Sequence, residues 1–207
     1  MKDTRIAVIG AGMAGLTAAL SLQKNGFKPI VYELAPQLGE VGAGLTLSPN
    51  STHGLEYVGL ADELKKRANI PASQAIMHYQ TGEVLVETKR GEIPYEKYGA
   101  YYYQIHRADL HDMLSAAATA NDPDCLVLDH AFSSCVETDD GIEITFTNGK
   151  TATCDVVIGA DGIRSAVRTD MFGPEDPKFT GNVAYRGLVN KGDLSDDVVT
   201  PASGVAI

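Results

Sequence analysis

The sequence predicts an α/β fold with a parallel sheet, a β-meander and an antiparallel insertion. Two stretches, "RIAVIGAGMAGLTAAL" and "CDVVIGADGIRSAVR", each run from a short apolar strand through glycines into a helix. Such apolar runs are typical of strands buried on both faces of a parallel sheet. Between the two corners lie alternating stretches separated by glycine-containing turns, which is the pattern of antiparallel strands. The two corners belong either to two separate nucleotide sites or to a single site of which each corner forms one wall.

Composition excludes several kinds of partner. The chain has 207 residues, of which 44% are hydrophobic, enough to bury a core. A net charge of −10 argues against nucleic acid and anionic membranes, because both bind basic surfaces. No apolar stretch has the length of a membrane span, and glycines interrupt the apolar segment at 6–20 that would otherwise resemble a signal peptide. Three cysteines without metal-binding spacing predict a cytoplasmic protein with no metal site.

The first corner has every element of a dinucleotide-binding turn. We predict a strand over residues 5–9, a helix over 13–25 that ends at Gly26, and a second strand over about 28–34. Between the first strand and the helix, "GAGMAG" has the GxGxxG spacing. The alternative is a tight turn that binds no ligand.

Each glycine of this turn has a physical task in the predicted site. Gly10 permits the tight turn, Gly12 lets the backbone approach a pyrophosphate, and Gly15 lets the helix pack close to the strand. Ala14 belongs to the same predicted site, since a helix N-terminus offers unpaired N–H groups to phosphates. Glu33 either accepts both hydroxyls of an adenosine ribose or is a solvated surface residue. NAD and FAD both carry that ribose, so this corner fits either.

The middle of the chain is less specific. Gly42 and Gly44 indicate either close backbone approach to a flat group or a plain flexible loop. Residues 51–67 are predicted to form one helix that ends in the basic run "KKR". Residues 74–105 are predicted to form the antiparallel insertion. The three consecutive tyrosines at 101–103 either line an aromatic pocket or lie half-buried in that sheet.

A further helix is predicted to begin in "HRADLHDML", with Arg107 at its N-terminal edge. A cation at that end opposes the helix dipole. Arg107 therefore fits either an adjacent anion, such as a cofactor phosphate, or a local pair with Asp109 or Asp112. No partner is predicted for His111.

The second corner follows a predicted β-meander over residues 125–154, in which "DDG" and "NG" are strong hairpin turns. A strand over 156–159 leads into Asp161 and Gly162, and a helix follows. Asp161 could cap that helix. Capping alone does not explain why Arg164 and Arg168 lie in the first turns of the same helix.

Taken in order, four blocks resemble those of the flavoprotein aromatic hydroxylases, the FAD-dependent monooxygenases that include salicylate and hydroxybenzoate hydroxylases. The blocks are "GAGMAG" with Glu33, "GAGLTLSPN", "HRADLHDML" and "GADGIRSAVR". "AYRGLV", at 184–189, resembles the strand that enters the substrate domain of these enzymes. The resemblance implies a Rossmann-like FAD-binding fold with a β-meander, plus the beginning of an antiparallel substrate-domain sheet.

The resemblance also implies roles for individual positions. The first corner and Glu33 would hold the ADP half of FAD, and Arg107 would contact the pyrophosphate side of the cofactor. Asp161–Gly162 would form the second wall of the same site, in a motif linked to both FAD and NAD(P)H binding. Gly42 and Gly44 would lie where the isoalloxazine ring moves.

The implied activity is hydroxylation of a small aromatic substrate of the phenolic-acid type. NAD(P)H as co-substrate would reduce FAD, and the reduced flavin would trap O₂ as a C4a-hydroperoxide that attacks the ring. The expected domains are an FAD-binding domain over 1–73 and 106–180 and a partial substrate domain over 74–105 and 181–207. Whether the protein forms a homo-oligomer is left open.

The chain departs from the family pattern near Ile207. Nothing matches the later "GD" block or the rest of the substrate sheet, so the chain is predicted to be truncated, to bind FAD weakly and to have little hydroxylase activity. Thr46 stands where one class of relatives has a histidine. The catalytic residues are unknown, and His53, His78 and His106 are candidates for the base by residue type only.

Three other functions are open from the sequence. An isoprenoid-chain reductase would use the same FAD fold, whereas a flavin halogenase is disfavoured because the sequence has no tryptophan. A plain NAD-dependent dehydrogenase would leave "HRADL" and "GADGIRSAVR" without a purpose. A non-catalytic dinucleotide-binding module is the remaining alternative.

Overall fold

A computed structural model describes residues 3–39, 43–183, 191–193 and 204–206. Gly42 and "AYRGLV" lie outside the described residues. No described helix is long and apolar enough to cross a membrane. The chain divides into two compact units, the first made of Met1–Glu40 and Leu110–Asn182, the second of Val41–Asp109 and Val183–Ile207. These units are defined by packing, so the functional domains proposed from the sequence stay a prediction.

The first third of the chain contains three strands and three helices, and strands dominate the described part of the last third. In chain order the elements are β1 (Ile6–Ile9), α1 (Met13–Lys24), β2 (Pro29–Tyr32), β3 (Gly44–Leu47), α2 (Pro49–Tyr57), α3 (Ala61–Arg67), β4 (Ser73–Met77), β5 (Val84–Lys89), α4 (Ile93–Tyr98), β6 (Tyr103–His106), α5 (Arg107–Asn121), β7 (Leu126–Val127), β8 (Phe132–Thr138), β9 (Gly141–Phe146), β10 (Thr151–Cys154), β11 (Val156–Gly159), α6 (Ala166–Phe172), a 3-10 turn (Lys191–Asp193) and β12 (Gly204–Ala206).

The first unit contains a parallel sheet with the strand order β11, β1, β2, β7. All residues of β1 are at most 6% exposed, as expected for an apolar strand with a neighbour on each side. Ile6 pairs with Val156 in β11 and with Pro29 in β2, so the carboxyl ends of these three strands meet at one edge. The predicted α/β fold with a parallel sheet is confirmed.

Helix α1 ends at the predicted glycine. Gly26 has a φ of +84°, and its N–H donates to the carbonyl of Gln23 at 3.0 Å. The N–H of Phe27 donates to the carbonyl of Leu22 at 3.1 Å. These two bonds form a Schellman motif, which needs a left-handed residue directly after the helix.

The meander of β8, β9 and β10 packs on the parallel sheet through one apolar cluster. The tight turns at "DDG" and "NG" are present, with positive φ at Gly141 and Gly149. Strand β7 was expected in the meander but pairs in parallel with β2. Burial raises the pKa of the Cys154 thiol, which keeps this free cysteine in its unreactive neutral form. The buried members of the cluster are Ala7, Ile9, Phe132, Ile144, Phe146, Cys154 and Val167.

Arg5 connects β1 to the end of the meander. Its Nε donates to Asp155 Oδ1 at 3.1 Å, and its backbone N–H donates to Asp155 Oδ2 at 2.7 Å. These bonds hold the pKa of the Asp155 carboxyl below its usual value. The pair therefore contributes stability above the usual carboxyl pKa, and that contribution is lost as the pH falls through the lowered pKa.

The second unit contains small sheets. Strands β4 and β5 are antiparallel, and β12 pairs in parallel with β4. Strand β6 was expected beside β4 and β5 but pairs with β3. The helix expected over 51–67 is two helices, because Gly59 has a φ of +90° between α2 and α3. Helix α4 was missed, although Pro94 near its start and a left-handed Gly99 at its end are helix signals.

Asp129 is a non-glycine residue with a left-handed backbone, at φ +56°. Two hydrogen bonds fix the turn around Asp129. Its own N–H donates to the carbonyl oxygen of Ala35 at 3.0 Å, and the N–H of His130 donates to the carbonyl oxygen of Glu33 at 2.8 Å.

We expect Asp129→Gly to raise the free energy of unfolding by about 0.5 kcal/mol by removing the steric cost of this conformation. Urea denaturation measures the change. Asp129→Ala keeps the Cβ and should give no gain; equal stability of the glycine variant and wild type would contradict the prediction.

Candidate dinucleotide-binding site

Two glycines of "GAGMAG" are required by packing. Gly10 has a φ of +102°, and a Cβ there would lie 2.7 Å from the carbonyl oxygen of Ala160. A Cβ on Gly15 would lie 1.9 Å from the carbonyl oxygen of Gly10. The first glycine therefore lets the loop approach the second corner, and the other lets α1 pack against the turn.

Gly12 is a glycine for a different reason. Its φ is −72°, which any residue adopts, and a Cβ there would meet nothing within 4 Å. The protein itself does not require a glycine at this position. The open space fits the close approach of a ligand to the backbone, as the GxGxxG spacing predicts. Ala14 lies exposed in the first turn of α1, and its predicted role stays a prediction.

Glu33 directly follows β2 and holds the loop. Its Oε2 accepts a hydrogen bond from the N–H of Ala11 at 2.7 Å, and its Oε1 accepts one from the N–H of Ala35 at 3.0 Å. The side chain is therefore not simply solvated. Each carboxylate oxygen has a second lone pair, so both oxygens can still accept ribose hydroxyls.

Asp161 caps helix α6. Its Oδ2 accepts the N–H groups of Ala166 at 2.7 Å and Val167 at 3.1 Å, and its Oδ1 accepts the hydroxyl of Ser165. Capping thus accounts for the aspartate without any ligand. Gly162, next to it, has a φ of +82° and open space where a Cβ would be.

We expect Asp161→Ala to lower the free energy of unfolding by about 1 to 2 kcal/mol, because it leaves two helix N–H groups without their acceptor. Chemical denaturation monitored by circular dichroism measures the loss. Asp161→Asn keeps one acceptor oxygen and should lose less. An alanine variant as stable as wild type would contradict the assigned cap.

Both corners line one cleft of about 350 Å³ within the first unit, and a neighbouring cleft of about 110 Å³ shares Gly12 and Glu33 with it. The second corner is thus a wall of the cleft that begins at the first, rather than a separate pocket. The larger cleft is lined by Ile9, Gly10, Gly12, Tyr32, Glu33, Leu34, His130, Ala131, Phe132, Ala160, Asp161, Gly162, Arg164 and Ala166.

Several cleft residues were not predicted from the sequence. Tyr32 and His130 both pack against Phe146, with ring centroids 4.7 and 4.9 Å away, and burial raises the pKa of the Tyr32 hydroxyl. Arg164 brings a positive charge to the cleft, whereas Arg168 is engaged with Glu175 at 3.3 Å. Arg164 is predicted from the sequence to lie in the first turn of the helix, but it precedes Ala166, where α6 begins. His130 lies within the predicted meander over residues 125–154, where nothing nearby marks it as a site residue.

Other predicted site residues belong to the second unit. Arg107 is the first residue of α5, and its N–H donates to the carbonyl of Ala43 at 3.1 Å. Gly44 lies in β3, where it pairs with His106. The proposed cofactor contacts of Arg107 and Gly44 stay predictions, and Gly42 is not described.

Each candidate histidine has a hydrogen-bonding contact with the backbone. Nε2 of His53 lies 2.8 Å from the carbonyl oxygen of Tyr98, and Nδ1 of His78 accepts the N–H of Thr81 at 3.3 Å. His106 Nδ1 accepts the N–H of Ala108 at 3.3 Å, while its buried Nε2 has no hydrogen-bond partner among the described residues. None of these contacts identifies a base. In the described ranges, no group of His, Cys, Asp and Glu could hold a metal ion.

Comparison with known proteins gives consistent matches. The 6-hydroxynicotinate 3-monooxygenase of Pseudomonas fluorescens is 37% identical over 188 residues, covering 90% of this chain and 48% of that protein. A 3-amino-4-hydroxybenzoate 2-monooxygenase of Streptomyces platensis is 40% identical over 189 residues, which cover 89% of this chain and 46% of that protein. A crystal structure of a Klebsiella pneumoniae HpxO variant complexed with FAD has a TM-score of 0.70 at 28% sequence identity. The match covers 80% of this chain and 42% of that chain.

The chain spans about half the length of the curated relatives it matches. The family described as the FAD binding domain matches residues 3–184, which is most of the chain. That match agrees with the parallel sheet, the glycine-rich loop and the cleft between the two corners. The chain therefore belongs to the FAD binding domain family.

Proposed function

We propose that this chain is the FAD-binding part of an NAD(P)H-using monooxygenase that hydroxylates a small aromatic acid. The observation that carries the proposal is the single cleft lined by both corners. The named relatives support the reaction class, since they are monooxygenases named for 6-hydroxynicotinate and 3-amino-4-hydroxybenzoate. Both of these are aromatic acids that already carry a ring hydroxyl.

The residues of the cleft fit the ADP half of FAD. The open space at Gly12 and the N-terminus of α1 suit the pyrophosphate, since both present backbone N–H groups. Glu33 has the lone pairs to accept the ribose hydroxyls. Arg164 and the open backbone at Gly162 would meet the cofactor from the opposite wall.

Within this site the chain binds and orients the cofactor. FAD, when bound, supplies the electron transfer and oxygen chemistry that amino-acid side chains do not provide. Asp161 keeps the second wall in place by capping α6, and Glu33 keeps the first wall in place by holding the Ala11 N–H. Ile9 and Phe132 line the cleft and are also buried members of the apolar cluster, so they give this part of the cleft an apolar surface. Cytoplasmic location and homo-oligomer formation stay predictions.

The test begins with cofactor binding. The chain is mixed with FAD, freed of excess ligand and scanned; flavin bands near about 375 and 450 nm are expected. NAD(P)H oxidation by the monooxygenase of which this chain is the proposed FAD-binding part is then followed with a panel of hydroxylated aromatic acids, and the products are identified by mass spectrometry. A gain of one oxygen atom in the product supports the monooxygenase. Reduction of a substrate double bond without oxygen uptake would favour the reductase, and failure to retain any flavin would contradict the proposal.

We expect the 207 residues alone to form little hydroxylated product. The matched part of the chain covers 46–48% of the length of these two relatives, so about half of each relative has no counterpart in the match. NADPH and NADH consumption with product analysis checks this. Product formed in proportion to NAD(P)H consumed would contradict it.

A further inference from the structure

We propose that His111, on α5, is a positioning residue for the dinucleotide-binding loop; the inference rests on the proposed FAD binding. His111 is 6% exposed, and its Nε2 lies 2.7 Å from the carbonyl oxygen of Ala11. A carbonyl oxygen only accepts hydrogen bonds, so Nε2 carries the proton and donates it. The side chain thus reaches 100 residues back along the chain to the centre of "GAGMAG".

The contact fixes the direction of the next N–H group. The carbonyl of Ala11 and the N–H of Gly12 belong to one peptide unit, which is planar and trans, so the two bonds point in opposite directions. Holding the carbonyl toward His111 therefore turns the Gly12 N–H away from α5. Gly12 lines both clefts, and its N–H makes no hydrogen bond with any described residue. That N–H is left for a ligand.

The neighbouring peptides are held by other means. Glu33 accepts the N–H of Ala11, and the carbonyl of Gly10 lies against Gly15. The carbonyl of Gly12 accepts the N–H of Leu16 at 3.0 Å and so begins α1. The Ala11–Gly12 peptide depends on His111 for its orientation, because no other described contact holds its carbonyl.

Losing this bond should weaken binding of the pyrophosphate more than it weakens the fold. A peptide unit free to rotate presents its N–H to the cleft only part of the time, and the apparent Kd rises as that fraction falls. One hydrogen bond of ordinary net strength corresponds to roughly a 5- to 10-fold change in this equilibrium. Adenosine has no pyrophosphate, so its Kd should be the same in the wild-type chain and in the His111 variants.

The test compares His111→Gln with His111→Leu and His111→Met in the 207-residue chain. The glutamine amide nitrogen can donate in place of Nε2, whereas leucine and methionine have no donor. FAD and ADP are titrated by calorimetry, adenosine by NMR, and the unfolding of each variant is recorded. We expect leucine and methionine to raise the Kd of FAD and ADP roughly 5- to 10-fold, with glutamine within about 2-fold of wild type and adenosine unchanged.

The outcomes separate the inference from the proposed function. A wild-type chain that binds neither FAD nor ADP contradicts the proposed function, and the inference with it. Wild-type binding that is unchanged in the leucine or methionine variant contradicts the inference alone. The inference alone is also contradicted if the glutamine variant binds FAD and ADP as weakly as the leucine and methionine variants do. The same holds if adenosine binding is weakened by the same factor as ADP binding. Should the leucine variant not fold, methionine against glutamine makes the same comparison.

Discussion

Replacing Gly15 with alanine is expected to destabilise the first unit severely. The new Cβ would lie 1.9 Å from the carbonyl oxygen of Gly10, so α1 must move away from the turn that precedes it. Overpacking of this kind should cost about 3 kcal/mol or more, a large part of the roughly 5 to 15 kcal/mol by which a typical domain is stable. Urea denaturation monitored by circular dichroism measures the loss.

Gly12→Ala is the matched control, three residues before Gly15 and directly ahead of α1. Its φ of −72° suits alanine, and the Cβ would meet nothing within 4 Å. Gly12 is the N-cap of α1, where alanine is less favourable than glycine, so the free energy of unfolding should fall by no more than about 1 kcal/mol. The Kd of FAD should rise about 10-fold or more, because a methyl group in the space for the pyrophosphate costs about 1 to 3 kcal/mol of overpacking. The opposite pattern, with Gly12→Ala unfolded or Gly15→Ala as stable as wild type, would contradict the assigned roles of these glycines.

The second large effect is expected for Glu33→Gln. A glutamine side chain has one acceptor oxygen, so the N–H of either Ala11 or Ala35 would face an amide donor. The variant also loses the charged acceptor for the ribose hydroxyls. Hydrogen bonds to charged groups contribute about 1.5 to 3 kcal/mol, which corresponds to a rise in the Kd of FAD of roughly 10- to 100-fold.

ADP provides the control for this prediction because it carries the same ribose as FAD. Fluorescence titration with FAD, and displacement of FAD by ADP, should give the same factor for both ligands. Unchanged affinity for both would show that Glu33 only holds the loop. A loss for FAD with none for ADP would place the effect at the flavin end, contrary to the assignment.

The parts of the fold that were predicted depend on local patterns. Strand β1, helix α1 with its Gly26 terminus, and strand β11 each follow from a short stretch whose apolar residues and glycines lie next to one another in sequence. The three glycines of "GAGMAG" were assigned tasks from spacing alone. The close contacts at Gly10 and Gly15 and the open space at Gly12 agree with those tasks.

What could not be predicted depends on contacts between distant residues. The sequence predicts no partner for His111, because the Ala11 carbonyl that it contacts is 100 residues away. Strand β7 is short enough to fit either sheet, and its pairing with β2 is decided by packing. Helix α4 is a different case, because its signals are local but ambiguous: proline and glycine favour turns as well as the helix ends that Pro94 and Gly99 occupy.

The central claim is that the two strand–glycine–helix corners form one FAD site. Calorimetric titration of the chain with FAD, followed by competition with ADP, tests it most directly. The structure predicts one FAD per chain, displaced by one ADP, with binding weakened by Gly12→Ala. Two independent ADP molecules per chain, or FAD binding that ADP does not displace, would contradict it.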